Sequence, residues 1–256
     1  MTLKDMFLRM VKKPKQVEDQ EAFTIVYNPF RNPQPAEKPD YDPRGCVEIV
    51  GIWHTIQGEG PYAGRPAIFI RVAGCNLDCP GCDTDYTSMR VKMTPPQIVQ
   101  QCLIMKLPKK SLVVITGGEP FRQDISSLCN LLLHSFDVQV ETNGTLMMPR
   151  QVSPKVNIVC SPKSPTITPR LRVDAYKYIL DAKHVDPDDG LPTSVLGNNL
   201  KPARPKEGDE DKPIYVQPMD AQDENENTAN LEAAIQSCLR FNYTLCLQIQ
   251  KIIGMP

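Results

Sequence analysis

Residues 74–84 read Gly74-Cys75-Asn76-Leu77-Asp78-Cys79-Pro80-Gly81-Cys82-Asp83-Thr84, with three cysteines spaced Cys-x-x-x-Cys-x-x-Cys. A four-iron four-sulfur cluster takes one thiolate per iron, so three close cysteines without a neighbouring fourth leave one iron for a ligand that is not protein. That open corner is where chemistry would happen. The competing reading is a zinc knuckle completed by Cys160, His54 or Asp83, but zinc sites usually combine paired Cys-x-x-Cys elements, which this chain lacks.

Outward from this run the chain alternates strand and helix. Val47 to Thr55 and Ala67 to Val72 read as strands, and Thr94-Pro95-Pro96-Gln97 is a capping box opening a helix to about Met105. Ser111 to Thr116 is a β-branched run, Ile125 to Phe136 has helical period, and Val138 to Glu141 reads as a strand. Short strands are expected at Val156 to Cys160, Ala175 to Leu180, Ile214 to Gln217 and Tyr243 to Gln248, with a helix from about Thr228 to Phe241. Such alternation implies an α/β fold with a parallel sheet covered by helices. Arg71, Thr116-Gly117-Gly118-Glu119-Pro120, Glu141-Thr142-Asn143-Gly144, Ser161-Pro162-Lys163, Gln217-Pro218 and Gln248 all fall where an expected strand ends. Ligands bind at the carboxyl ends of the strands in barrels and open α/β sheets, so these residues are expected to converge on one cavity.

The chain has 256 residues, 41% hydrophobic and 23% charged, with net charge −1. That balance gives no global field for a nucleic-acid or membrane surface and suits a small charged metabolite. Nine cysteines without a regular small-domain framework fit a reducing cytoplasm, and no apolar run is long enough to cross a bilayer. Residues 1–45 read as an N-terminal extension: an amphipathic helix around Leu3, Met6, Phe7, Met10 and Val11, then an arm marked by Pro29, Pro33, Pro35, Pro39 and Pro43. Residues 46–256 read as one core domain. The stretch between Lys183 and Pro213, rich in proline, glycine and charge, reads as a surface excursion that could act as a lid. Cys46, Cys102, Cys129, Cys160, Cys238 and Cys246 read as small buried residues, and the acidic run Asp220 to Glu226 as solvated surface.

The cysteine run after a strand resembles the signature of the radical S-adenosylmethionine superfamily. Together with Gln57-Gly58-Glu59-Gly60, Gly64-x-Pro66-Ala67-x-Phe69-x-Arg71, Cys82-Asp83-Thr84, Thr116-Gly117-Gly118-Glu119-Pro120, Glu141-Thr142-Asn143-Gly144-Thr145, Ser161-Pro162-Lys163, Gln217-Pro218-Met219 and Leu247-Gln248-x-x-Lys251, it resembles the 7-carboxy-7-deazaguanine synthase family over roughly residues 46–256. The resemblance implies a partial (β/α) barrel in which Cys75, Cys79 and Cys82 hold a 4Fe-4S cluster whose fourth iron is chelated by S-adenosyl-L-methionine. It further implies that Gly118, Glu119, Glu141, Asn143, Ser161, Lys163 and Gln217 bind that cofactor, and that Thr84 lies at a magnesium ion. Gln57, Glu59, Arg71, Thr116, Gln250 and Pro256 would bind 6-carboxy-5,6,7,8-tetrahydropterin, the Arg71 guanidinium offering a planar fork to its carboxylate.

The implied reaction contracts the pterin ring by radical chemistry, with loss of ammonia, to 7-carboxy-7-deazaguanine in the queuosine pathway; no protein side chain is an expected catalytic group. A reductant such as flavodoxin or ferredoxin and a homodimeric state are also implied. The alternative is another radical enzyme, such as a glycyl-radical activase, which would share the cysteines and Gly-Gly-Glu-Pro but have no need of Gln57, Glu59 and Arg71. Two positions depart from the family pattern. Gly81 replaces an aromatic residue common before the third cysteine. Gln250 stands where relatives often carry histidine, and it can hydrogen-bond but not titrate near neutrality.

Overall fold

Strand β4 (Leu112–Gly117) is the most apolar segment of the sheet, and its first four residues are completely buried. Side chains alternate across a strand. Val113 and Ile115 accordingly join the main core with Ile68, Ile70, Ile98 and Leu128, while Leu112 and Val114 pack on the other face with Ala67, Tyr62 and Phe69. A strand covered on both faces is what a parallel α/β sheet requires. The computed structural model describes residues 34–87, 89–108, 110–197 and 199–256. The helix expected around residues 3–13 and the start of the arm lie outside them.

Around β4 run β1 (Val47–Ile56), β2 (Pro66–Val72), β3 (Val91–Met93), β5 (Asp137–Thr142), β6 (Asn157–Cys160), β7 (Ala175–Leu180), β8 (Ile214–Pro218) and β9 (Thr244–Leu245). The strand order is β3-β1-β2-β4-β5-β6-β7-β8-β9. From β2 to β9 every pairing is parallel, whereas β1 is antiparallel to β2 and to β3. The antiparallel edge, and β3 itself, were not legible in the alternating pattern.

Helices α1 (Pro95–Ile104), α2 (Ser126–Leu132), α3 (Glu224–Phe241) and α4 (Ile249–Ile252), with short 3-10 turns at Gly60–Tyr62 and Pro120–Arg122, complete the described elements. Gln97 Oε1 accepts the Thr94 backbone N–H at 2.9 Å, as the capping box predicts. Helix α3 starts four residues before the expected Thr228, because Asp223 accepts the N–H groups of Asn225 and Glu226 and Glu224 and Glu226 suit the positive end of the helix dipole. The acidic run is therefore partly a helix start. Helix α2 is shorter than expected, and the strand expected to reach Gln248 stops at Leu245, so Gln248 caps α4 instead.

The sheet curls into a partial barrel whose two sides meet without strand pairing. Gly60 N–H donates to Cys246 Sγ at 3.2 Å, Ile249 N–H to Gly58 O at 3.3 Å, and Thr55 Oγ1 to Pro256 O at 2.8 Å. A Cβ on Gly58 would lie 2.8 Å from the Gln250 backbone N and would displace the Gln250 side chain, so the seam is tight at this glycine. Among the described residues no helix is long and apolar enough to cross a membrane.

The described part of the arm, 34–45, hydrogen-bonds into the core. Gln34 Nε2 donates to Thr84 O at 2.6 Å and its Oε1 accepts the Tyr86 N–H at 2.7 Å, while Glu37 N–H reaches Cys75 O at 2.7 Å. The excursion after Lys183 is stapled by Asp186 to Lys201 and Asp189 to Arg204, both at 2.6 Å, and its Leu196 O accepts the Gly81 N–H at 2.8 Å. A Cβ on Gly81 would approach the Leu196 backbone to 3.1 Å, which gives a steric reason for the missing aromatic side chain.

Replacing Gln34 with Leu would leave the Thr84 carbonyl and the Tyr86 amide without their partner. Each unsatisfied group costs about 1–3 kcal/mol, so the urea midpoint of Gln34→Leu should fall measurably below that of the wild type.

Candidate active site

The cysteine loop leaves β2 through Gly74, where φ is +75° and a Cβ would lie 2.4 Å from the Arg122 guanidinium. Arg122 is itself buried, donating to Ala73 O and Lys38 O. Cys82 N–H closes a tight turn onto Cys79 O at 3.1 Å, and Tyr86 OH ties back to Leu77 O at 3.2 Å. Cys75, Cys79 and Cys82 all line one cavity of about 780 Å³ at the carboxyl end of the sheet. That volume suits a sizeable small-molecule ligand.

Burial pushes the Cys75 thiol up to about 12 and raises Cys79 and Cys82 as well, and Cys79 adds to the shifts of both Cys75 and Cys82 through its charge. Three crowded, half-desolvated thiolates are stable only with positive charge among them, which iron supplies. Among the described residues no group of three or more His, Cys, Asp or Glu is arranged to hold a single metal ion. A single zinc needs ligands converging at about 2.3 Å on one point, whereas a cubane spreads its thiolates over separate irons. The donor set thus fits the cluster better than the zinc knuckle.

Gly117 and Gly118 also have a packing reason to be glycine. A Cβ on Gly117 would lie 2.2 Å from Val72 O, and one on Gly118 would lie 2.1 Å from Gly74 O. The glycines let the end of β4 lie directly on the backbone of the cysteine loop, although both also line the cavity.

Glu119 is fully buried behind the cavity wall. Its carboxylate accepts Phe121 N–H at 3.0 Å, Thr142 Oγ1 at 2.7 Å and Asn143 N–H at 2.7 Å, so it braces the loop after β5. Burial nevertheless raises its pKa from 4.5 to about 6. Asn143 lines the cavity but spends its amide on Asn76 Oδ1 at 3.0 Å and its Oδ1 on Thr145, linking the β5 loop to the cysteine loop.

The other expected residues meet in the same cavity. Arg71 and Thr116 are neighbours in register on β2 and β4, and the Arg71 guanidinium stacks 5.0 Å from the Trp53 ring centre. Ser161, Gln217, Thr84, Gln250 and Pro256 line it as well. Lys163 donates to Ser161 Oγ at 2.5 Å, and burial lowers its pKa. Gln57 and Glu59 reach the cavity although β1 runs antiparallel, because the curled sheet carries their loop across to β7. There Glu59 forms an ion pair with Lys177, which also pairs with Glu141 at 3.0 Å. Gln250 Nε2 donates to Glu59 Oε1 at 3.0 Å, the positioning contact open to a residue that cannot titrate. Sequence reasoning missed Lys177, Arg122 and Gln34. Lys177 stands in an apolar strand run, and that interruption by a charge was the only signal.

Residues 69–154 match the family model described as the Radical SAM superfamily, the class that the barrel and the three-cysteine loop define. The chain is 41% identical over 230 residues to the 7-carboxy-7-deazaguanine synthase of Rhodospirillum rubrum, covering 86% of this chain and 97% of that protein. It is 38% identical over 216 residues to the one of Rickettsia prowazekii, covering 82% and 88% respectively. The crystal structure of QueE from Escherichia coli superposes with a TM-score of 0.59 at 23% identity, covering 79% of this chain and 94% of that one, and shows a shared fold. The chain belongs to the 7-carboxy-7-deazaguanine synthase family of radical S-adenosylmethionine enzymes.

The fold favours protonated Glu119, so its stabilising contribution is full below about pH 4.5 and is lost as pH rises through about 6. In the metal-free chain, Glu119→Gln should reduce the fall in unfolding free energy between pH 5 and pH 7 by about 1 kcal/mol. Urea titrations at the two pH values measure that difference.

Proposed function

We propose that this cavity converts 6-carboxy-5,6,7,8-tetrahydropterin to 7-carboxy-7-deazaguanine with release of ammonia, the ring contraction of the queuosine pathway. The observation that carries the reading is the meeting, in one cavity, of three cysteines with a guanidinium and a set of carboxylate and amide groups from both sides of the barrel. When bound, the 4Fe-4S cluster and S-adenosylmethionine supply a reductively generated 5′-deoxyadenosyl radical. The chain's own residues bind, orient and exclude water.

Cys75, Cys79 and Cys82 hold the cluster. Gly118, Glu141, Asn143, Ser161, Lys163 and Gln217 face the cofactor along the strand ends, with Glu119 acting behind them through Asn143. Arg71 takes the substrate carboxylate, while Gln57, Glu59, Thr116, Gln250 and the chain end at Pro256 bound the pterin ring. Thr84 supplies an oxygen to a magnesium ion that neutralises and orients the carboxylate; magnesium commonly keeps waters and substrate oxygens as its remaining ligands. Residues 46–256 form the catalytic core, with 34–45 bound to it. A flavodoxin or ferredoxin as reductant, a homodimeric state and a cytoplasmic site complete the proposal.

Anaerobic assay of cluster-loaded protein with carboxytetrahydropterin, S-adenosylmethionine, magnesium and a reductant should yield the deazaguanine; absence of product refutes the assignment. Cys79→Ala should lose most of its iron and brown absorbance, and retention of both would exclude this ligand set. Arg71→Ala should lower kcat/KM for the pterin by about 10- to 100-fold, the worth of a charged hydrogen-bonded contact, while leaving S-adenosylmethionine binding nearly intact.

A further inference from the structure

Lys177 is a buried cation that pairs with two of the carboxylates lining the cavity, Glu59 and Glu141. It sits on β7 in register with Tyr215 of β8 and is 6% exposed. Its ammonium pairs with Glu59 from the loop after β1 and, at 3.0 Å, with Glu141 from the end of β5. The remaining neighbours of the carboxylates are neutral amides. Gln57 and Gln139 donate to Glu141 Oε1 at 3.2 and 3.0 Å, and Gln248 and Gln250 donate to Glu59 Oε1 at 2.9 and 3.0 Å. Beyond these, the Cys246 thiol after β9 and Lys163 after β6 act on the group through their charge.

Resting on the functional reading above, we propose that Lys177 is a positioning residue that keeps Glu59 ionised beside Glu141, so that Glu59 presents an acceptor to the N–H edge of the aminopyrimidinone ring while Glu141 stays turned to the cofactor side. Burial alone pushes the Glu59 carboxyl up, yet the ammonium and the two amides hold it down at about 2. Burial likewise lowers Lys177, and the two carboxylates outweigh it and raise it well above the ordinary lysine value. Remove the ammonium, and two desolvated carboxylates share an amide-lined space. Like charges at such range do not both ionise near neutrality, so the pair takes up one proton. A carboxylic acid then points a donor at a ring N–H, and substrate must expel that proton to bind.

The test uses cluster-loaded enzyme. The pH dependence of kcat/KM for carboxytetrahydropterin is measured between pH 6 and 9 for the wild type, Lys177→Met and Lys177→Arg. Substrate binding without reductant is followed by calorimetry in buffers of different ionisation enthalpy. Lys177→Met should acquire a limb rising about tenfold per pH unit below its apparent pKa and should release close to one proton on binding. The wild type and Lys177→Arg should show neither. A loss that is uniform across pH, without proton release, would mean that Lys177 only fills space, and would overturn the inference. Should Lys177→Met not fold, Lys177→Met/Glu141→Gln, which removes the surplus carboxylate with the cation, should fold again and bind without proton release; failure of that double variant to fold would also overturn it. A wild type inert toward carboxytetrahydropterin would sink the functional reading, whereas an active wild type with a pH-invariant Lys177→Met defect would sink only this one.

Discussion

The whole site depends on backbone laid directly on backbone where the cysteine loop crosses the end of β4. Val72 O and Gly74 O occupy the space that side chains on Gly117 and Gly118 would need. Because both contacts involve main-chain atoms, no rotamer change can relieve a substitution there. The contact fixes the height of Cys75 over the sheet, and with it the distance between the metal end of the cavity and the strand ends that meet the organic ligands. Arg122 holds the same loop from behind through Ala73 O, and Gln34 holds it from the arm. A ligand loop braced on several sides can present its thiols with little conformational entropy left to lose.

Electrostatics divides the cavity into two ends. At one, burial drives the three thiols toward their neutral forms and so opposes the thiolate state that an iron cluster stabilises. At the other, Lys177 and a ring of amide donors hold two partly buried carboxylates, Glu59 and Glu141. A buried ion triad of this kind adds little to net stability, because desolvation offsets most of its Coulomb gain. Its value lies in holding fixed acceptors in a region of low dielectric, where a mismatched donor is costly. The barrel seam contributes to the same end: Gly58, Cys246 and Pro256 bring the C-terminal segment against β1, carrying Gln248 and Gln250 onto Glu59.

Much of the α/β pattern was legible in the chain because its cause is local. The run at β4 buries both faces and so reads as a continuous apolar strand, and the proline-led capping box set the start of α1. Elements whose limits depend on distant contacts were less legible. Strand β3 exists because Val47 to Ile49 offer it a pairing edge. Helix α3 begins at an acidic stretch that looks like solvated surface until Asp223 is seen as its cap. Glu119 illustrates the same limit within the site: that its carboxylate accepts from Thr142 and Asn143 and so braces the loop after β5 is not visible in its strand-end position.

By itself the sequence determined the metal chemistry, because thiolate count and spacing along a short loop are properties of the chain, and it determined the sheet end where polar groups collect, because strand periodicity places them there. The tertiary structure alone decided which of those groups face the cavity and which hold the wall up. It also brought Glu59 to Lys177, residues far apart in sequence and on opposite sides of an antiparallel edge. The physical reason is that curling of the sheet and closure at the β1 seam are collective results of packing, and no local pattern encodes the neighbours that such closure creates.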